Sequence, residues 1–496
     1  MNVCLLNDSF PPIIDGVANV VMNYARILQE QGLADVTVAT PAYPGVDYSG
    51  YPFQVVPYQS FNTARFANGY RAGNPFDFSE LEELIASKPD IIHSHCPMAS
   101  TIMARLIRAR TGAPLVITYH TKFDIDIARA LKNKALRDKA IKAMVNNMEA
   151  CDEMWVVSEG AGENLKSLGY TGDYVVMSNG VDFAKGRVDA DTVAEVTKNY
   201  DLPEGVPVFL FVGRMLTYKG LPLILDALAL LEKQDFDYRM VFIGGGADAG
   251  AMKERAEELG LKHCFFTGPI SDRQVLRAWN TRADLFLFPS TYDTNGIVVR
   301  EAAACGLASV LIQGSCAAEG ISHGRNGYLI EENADSMASL LMDVGSRLDE
   351  LDKVGLCAMD EIYISWDESV KAAYDRYQVI LANREKRSQQ RETQMREDRQ
   401  ELPDLDDFGE EARTHLESAW DKVRVPVSKI EDILDGMRCD ADTMLGNAMH
   451  VLDERMEEMR QRGERMAKWR TNAKDSLLDS LNGITNRRKK EEDESI

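Results

Sequence analysis

No stretch of this chain approaches the roughly 18 consecutive apolar residues that a membrane-spanning helix needs. The N-terminal apolar run, Val3 to Leu6, gives way at once to Asn7 and Asp8, which does not fit a secretory leader. Cysteine is sparse and scattered: eight residues, at 4, 96, 151, 264, 305, 316, 357 and 439, with no CxxC pair. That argues against a disulfide framework and a thiolate zinc site, and suits a reducing compartment. Positive charge is also short, with 56 Lys and Arg against 78 Asp and Glu, a formal net charge of -22. A field of that sign repels nucleic acid, so no nucleic-acid partner is expected, and contact with an anionic membrane has to be local. The expectation is a cytoplasmic protein, either soluble or associated with the inner face of the cell membrane.

At roughly 150 residues per domain, 496 residues suggest about three folding units. Up to about residue 350, short apolar runs alternate with longer segments of helical period, the pattern of parallel sheets with crossover helices. Strands are expected at 2–7, 35–40, 54–58, 90–95, 114–120, 153–158 and 174–179, and again at 208–212, 238–243, 264–267, 285–289 and 308–312. The fold class is therefore α/β, two doubly wound domains at 1–183 and 184–363, with a helix at 364–383 crossing back to the first. From about 384 to 496 Glu, Arg, Gln, Asp and Met take over without a strand-like run, and a helical appendage is expected. Within it Ile430, Met437, Met444 and Val451, then Leu452, Met459, Met466 and Ala473, recur every seven residues, a stripe suited to a helical hairpin or to homo-oligomerisation through 413–483. Lipid or partner binding is the other use of such a stripe.

Ligands of open parallel sheets sit beyond the carboxyl ends of the strands, so the chemistry is sought there. The first strand runs into a loop with Gly16, where backbone amides at a helix start can approach a phosphate. The strand at 208–212 leads to Gly213-Arg214 and then Lys219-Gly220. Arg binds a leaving diphosphate through two bonds and Lys as a point charge, stabilising its charge without a metal. The strand at 285–289 ends in Ser290 and a loop through Asp293, Thr294, Asn295, Gly296 and Ile297 to Glu301. Its carboxylates either grip sugar or ribose hydroxyls or serve as a helix cap and an exposed helix Glu. His120 ends a strand and is either a sugar ligand and proton shuttle or a buried structural imidazole; for His93 and His95 the structural reading is preferred. No spacing completes a metal site, and no cofactor is expected. Gly244-Gly-Gly246-Ala-Asp-Ala249 formally matches a dinucleotide turn, but the next strand ends in Thr-Gly-Pro without the acidic residue that holds an adenine ribose.

Taken together, Asp15-Gly16-Val17, Thr-Tyr-His120-Thr, Ser178-Asn-Gly-Val-Asp182, Gly213-Arg214 with Lys219-Gly220, and the Pro-Ser to Glu301-Ala-Ala stretch resemble the family 4 glycosyltransferases over about residues 1–383. The resemblance implies the GT-B fold of two facing Rossmann-like domains and a retaining, metal-independent transfer from a nucleotide diphosphate sugar. It puts Arg214 and Lys219 on the diphosphate, Glu301 on the nucleotide ribose, and Asp293 with the backbone of 294–297 on the sugar. His120 faces the reacting side and Gly16 closes against the phosphates. The chain departs from the family pattern in carrying Asp293 where Glu is usual, three glycines at 244–246 where Gly-Asp-Gly is usual, and Asp15 where many members have Gly.

Between Lys122 and Lys142 stand seven basic and three acidic residues, a local positive patch in an acidic chain. One helix is expected there, burying Ile127, Ala130, Leu131, Ala135 and Ile141. It presents Lys132, Lys134, Arg137, Lys139 and Lys142 either to anionic headgroups or simply to solvent. The segment around Asp8-Ser-Phe-Pro-Pro is similar to that of members that glucosylate diacylglycerol, which implies a lipid acceptor, with a glycan as the alternative and a UDP-sugar favoured as donor. A nucleotide-sugar epimerase of the same fold and a catalytically silent scaffold are the rival readings.

Overall fold

The computed structural model describes residues 1–401 apart from 14, 63–68 and 131–132. Lys132 and the heptad-like stripe at 413–483 lie outside the described residues.

The first sheet has seven parallel strands. They are β1 (Asn2–Leu6), β2 (Asp35–Pro41), β3 (Gln54–Tyr58), β6 (Ile91–Ser94), β7 (Leu115–Tyr119), β8 (Glu153–Val156) and β9 (Tyr174–Val176). Between β3 and β6 comes a small antiparallel pair, β4 (Ser60–Asn62) and β5 (Arg71–Gly73). The spatial order β3-β2-β1-β6-β7-β8-β9 reverses direction between β1 and β6, the switch point at which a doubly wound sheet opens a crevice. The second sheet has six strands in the order β12-β11-β10-β13-β14-β15. Its members are β10 (Val208–Val212), β11 (Arg239–Ile243), β12 (Cys264–Gly268), β13 (Leu285–Leu287), β14 (Ser309–Ile312) and β15 (Tyr328–Ile330).

The central strands are buried residue after residue, as in β7 and β11. A parallel sheet covered by helices on both faces needs such an unbroken apolar run. Helix Gly16–Glu30 covers the first sheet with Val20, Val21, Tyr24, Ile27 and Leu28, and Asp15 caps its start by accepting from the Ala18 amide at 2.8 Å. Helix Leu221–Lys233 does the same for the second sheet with Ile224, Leu225, Leu228 and Leu231.

The chain crosses from one domain to the other twice. Gly180 lies so close to the returning strand that a Cβ there would fall 2.4 Å from the Trp366 amide nitrogen, and Val181 bridges Ser365. Helix Trp366–Glu401 then lays Trp366, Val370, Ala373, Tyr377 and Ile380 into the first core, and its Arg376 grips Glu153 through two bonds of 2.7 and 2.6 Å. The helix does not stop where the composition changes. It runs through 384 to Glu401, because Glu, Arg, Gln and Met sustain a helix without an apolar face.

Candidate functional site

Beyond β10 the chain forms a single 3-10 turn, Thr217–Lys219, held from below by Asp248, whose Oδ2 accepts from the Thr217 amide at 2.7 Å and its hydroxyl at 2.8 Å. Gly220 follows with φ +81° and packs against the next strand end so tightly that a Cβ would meet the Pro289 carbonyl oxygen at 2.2 Å. These two restraints aim Lys219 inward. Its side chain is buried, Nζ bonds Asp293 Oδ1, and the rings of Tyr218, Phe288 and Tyr292 surround Nζ with centroids at 5.8, 5.9 and 5.6 Å. Asp293 Oδ2 accepts from Ser290 Oγ at 2.6 Å, so each carboxylate oxygen has one partner and keeps further acceptor capacity. Arg214, one residue beyond Gly213, is exposed, and no carboxylate among the described residues pairs with it.

Gly244–Gly246 belongs to the same construction. A Cβ on Gly244 would fall 1.9 Å from the Gly213 carbonyl oxygen, and the Met215 amide donates to Gly245 O at 2.9 Å. The triple glycine is accounted for by backbone packed on backbone behind Arg214.

Gly296, at φ +60°, opens helix Ile297–Ala304, whose first amides have no partner within the helix. Glu301 is buried on its first turns. Arg273 Nη2 bonds Glu301 Oε1 at 2.6 Å and lies 3.6 Å from Asp182, with its guanidinium 4.4 Å from the centre of the Phe183 ring. Burial pushes the Glu301 carboxyl up from its ordinary range and Arg273 draws it back.

On the first domain, His120 follows β7 and is 7% exposed, with Nε2 at 3.0 Å from His95 Nδ1. Burial holds it neutral, its pKa lowered to about 3. His93 bonds Tyr377 Oη at 2.5 Å and Thr118 Oγ1 at 2.6 Å, which places it in the structural role expected of it.

The two halves meet at the loop after β13. Thr294 Oγ1 donates to the His120 carbonyl, Ser158 Oγ donates to the Thr294 carbonyl at 2.5 Å, and Asn295 Nδ2 donates to Val157 O at 2.7 Å. Lys122 Nζ reaches Thr291 O at 3.0 Å, and Glu319 accepts from the Glu159 and Gly160 amides at 2.8 and 2.6 Å. The side chains of Thr294 and Asn295 are thus spent on joining the domains, a use their position in the loop sequence does not reveal. Gly16 is exposed, and a Cβ there would meet nothing within 4 Å. No fold constraint requires glycine at that point.

The single helix expected across 122–142 is two, Phe123–Ala130 and Lys134–Glu149, the second capped by Asn133 through the Ala135 and Leu136 amides at 2.9 and 3.3 Å. Ala135, expected inside, is exposed, because helix Lys134–Glu149 buries only from Met144 onward. Lys134, Lys139 and Lys142 are exposed, Arg137 is half-buried, and Leu136 is 53% exposed among them.

The site also draws on Asp248, Ser290, Arg273, Glu319 and His95, for none of which the sequence reading gives a site role. Asp248 is signalled by its place two residues after the triple glycine, and His95 by its place at a strand end, where the structural reading is preferred. Among the described residues no group of three His, Cys, Asp or Glu is placed to hold a metal ion, and no helix is long and apolar enough to cross a membrane.

A family model described as glycosyl transferases group 1 matches residues 193–348, and one described as glycosyltransferase family 4 matches residues 14–185. Alpha-monoglucosyldiacylglycerol synthase of Streptococcus pneumoniae is 25% identical over 69% of this chain and 75% of its own length. Sulfoquinovosyl transferase SQD2 of Arabidopsis thaliana is 26% identical over 67% of this chain and 65% of its own length. Among solved structures, Anabaena HepE in complex with UDP and glucose superposes with a TM-score of 0.59 at 16% identity, covering 75% of this chain and 98% of its own. Sucrose-phosphate synthase of Thermosynechococcus elongatus gives 0.60 at 18% identity, covering 77% and 99%. The likeness to these two structures shows the GT-B fold.

Proposed function

This chain belongs to the family 4 glycosyltransferases, and we propose that it passes a hexose from a nucleotide diphosphate sugar, a UDP-sugar first among candidates, to a diacylglycerol-like lipid with retention of configuration. The observation that carries the reading is the buried Lys219 with Asp293, set at the strand ends of the second domain on the loop that also touches His120 of the first.

In this reading the bond between the sugar carbon and the diphosphate oxygen breaks while the acceptor oxygen bonds to the same face, and the acceptor proton passes to the diphosphate. Charge developing on the leaving group meets Lys219, the exposed Arg214 and the amides that open helix Ile297–Ala304, which together do the work of a divalent cation. Asp293 is held by Lys219 and Ser290 and acts as a hydrogen-bond acceptor for sugar hydroxyls. Arg273 occupies Oε1 of Glu301 and leaves Oε2 for a ribose hydroxyl.

A lipid acceptor is supported by the name of the Streptococcus pneumoniae relative and by the exposed Lys134, Lys139 and Lys142 around Leu136. Cations with an apolar side chain among them suit anionic headgroups over a hydrocarbon layer. The test is nucleoside diphosphate release from UDP, GDP and ADP sugars, with and without diacylglycerol liposomes, products read by mass spectrometry. Release from one donor that rises with liposomes is expected. Release only with soluble glycans removes the lipid acceptor, and release without any acceptor points to an epimerase.

A further inference from the structure

We propose that His95 fixes the tautomer of His120, placing the proton of the cleft histidine on Nδ1 so that it meets a substrate oxygen as a hydrogen-bond donor. The proposal rests on the reading of His120 as a substrate-facing group and names a positioning residue behind it.

His95 follows β6 and His120 follows β7, so adjacent parallel strands deliver the two rings side by side, centroids 5.2 Å apart and tilted by only 21°. Their one hydrogen bond runs between His95 Nδ1 and His120 Nε2 at 3.0 Å. Both imidazoles are held neutral by burial. Two neutral rings joined this way share a single N–H, and only two arrangements exist.

In the first, His120 Nε2–H donates and His95 keeps its own proton on Nε2. In the second, His95 Nδ1–H donates, His95 Nε2 is a bare lone pair, and His120 carries its proton on Nδ1. His95 Nε2 decides between them, because it is buried and has no hydrogen-bond partner among the described residues. Orphaned buried N–H groups are rarer in folded proteins than under-satisfied acceptors. The second arrangement is therefore the stable one.

His95 cannot turn to escape this choice. His93 lies against it at 4.0 Å between centroids, the Tyr24 ring stands at 77° to it with centroids 5.4 Å apart, and His93 is itself pinned at both nitrogens by Tyr377 and Thr118. The column continues to the crossover helix, which carries Tyr377. Among the described residues His120 Nδ1 finds no hydrogen-bond partner, and it is absent from the buried polar atoms that lack one, so it is the ring nitrogen that reaches the surface. What the cleft meets is an N–H, suited to a sugar hydroxyl oxygen or another oxygen acceptor on the donor substrate, and not a base.

The test uses full-length protein carrying 15N-labelled histidine, with His120→Asn to assign the signals. In the wild type His120 is expected to show a protonated Nδ1 and a bare Nε2. His95→Leu removes the donor behind the ring, and the His120 signals are expected to move to an average of both tautomers while kcat falls about tenfold and the donor KM stays within about threefold. His95→Asn can donate from its amide where Nδ1–H stood, and is expected to restore both the nitrogen pattern and most of kcat. A wild-type His120 protonated on Nε2 overturns the proposal, as does a leucine variant that keeps the wild-type tautomer and kcat. If the leucine variant does not fold, Nε2 protonation in the asparagine variant overturns it and Nδ1 protonation supports it. The nitrogen spectra need no turnover, so absence of sugar transfer with the expected tautomer sinks the glycosyl-transfer reading and leaves the histidine pair standing.

Discussion

Lys219 in the turn beyond β10 and Asp293 beyond β13 are 74 residues apart in the chain, yet the lysine nitrogen is bonded to the aspartate and both sit largely out of water. Lys219→Ala removes the charge that meets the leaving diphosphate, and kcat is expected to fall at least about tenfold. It also strands Asp293 without its cation, so the midpoint of thermal unfolding should drop as well. Steady-state rates and a thermal melt check both, and unchanged turnover in a folded variant removes Lys219 from the mechanism.

Gly220→Ala tests how the lysine is aimed. The new Cβ would meet Pro289 backbone at 2.2 Å in a left-handed conformation at φ +81°. A loss of roughly 1–3 kcal/mol is expected, with donor affinity weakened in whatever protein folds. Wild-type stability in denaturant would mean that the turn relaxes freely.

Glu319→Ala removes the carboxylate that accepts from two amides at the start of helix Glu159–Ser167 in the other domain. A cap of this kind contributes about 0.5–2 kcal/mol, here to the contact between domains. A raised KM for the donor sugar and a larger radius of gyration by X-ray scattering are expected, with Glu319→Gln in between. An unchanged radius and KM would show that the bond does not hold the domains together.

Acid should destabilise the protein from near neutrality. His93, His95 and His120 are buried neutral, with pKa values below the usual 6.5, for His120 about 3. Their folded pKa values are depressed, so the unfolded chain takes up protons first. Their contribution is complete above about pH 6.5 and is lost progressively as pH falls towards 3, at up to about 1.4 kcal/mol per pH unit for each ring. The unfolding midpoint is expected to drop between pH 7 and 5.5, and a flat or rising midpoint contradicts the assignment.

Burial on two faces demands an unbroken apolar run, which makes Val208–Val212 legible, and the bounds agree there; they agree also for the edge strand Gln54–Tyr58, which is exposed at Gln54 and Pro57. The pair β4 and β5 and the edge strand β15 escaped, each three residues long, and the first two lack any buried residue. Lys219, Asp293 and Glu301 could be named because strand ends mark the crevice. Arg273 and Glu319 could not, because each serves the site from another loop or helix and only the folded chain brings it there. The His95 and His120 pairing depends likewise on β6 and β7 being neighbours, which spacing along the chain does not state.

The most direct measurement takes the donor sugar that turns over, labelled with 13C at its anomeric carbon, incubates it with the protein and diacylglycerol liposomes, and reads the anomeric carbon of the lipid product by NMR. The account predicts a glycolipid whose anomeric configuration equals that of the donor. A product of inverted configuration, or free sugar with no labelled lipid, would contradict it.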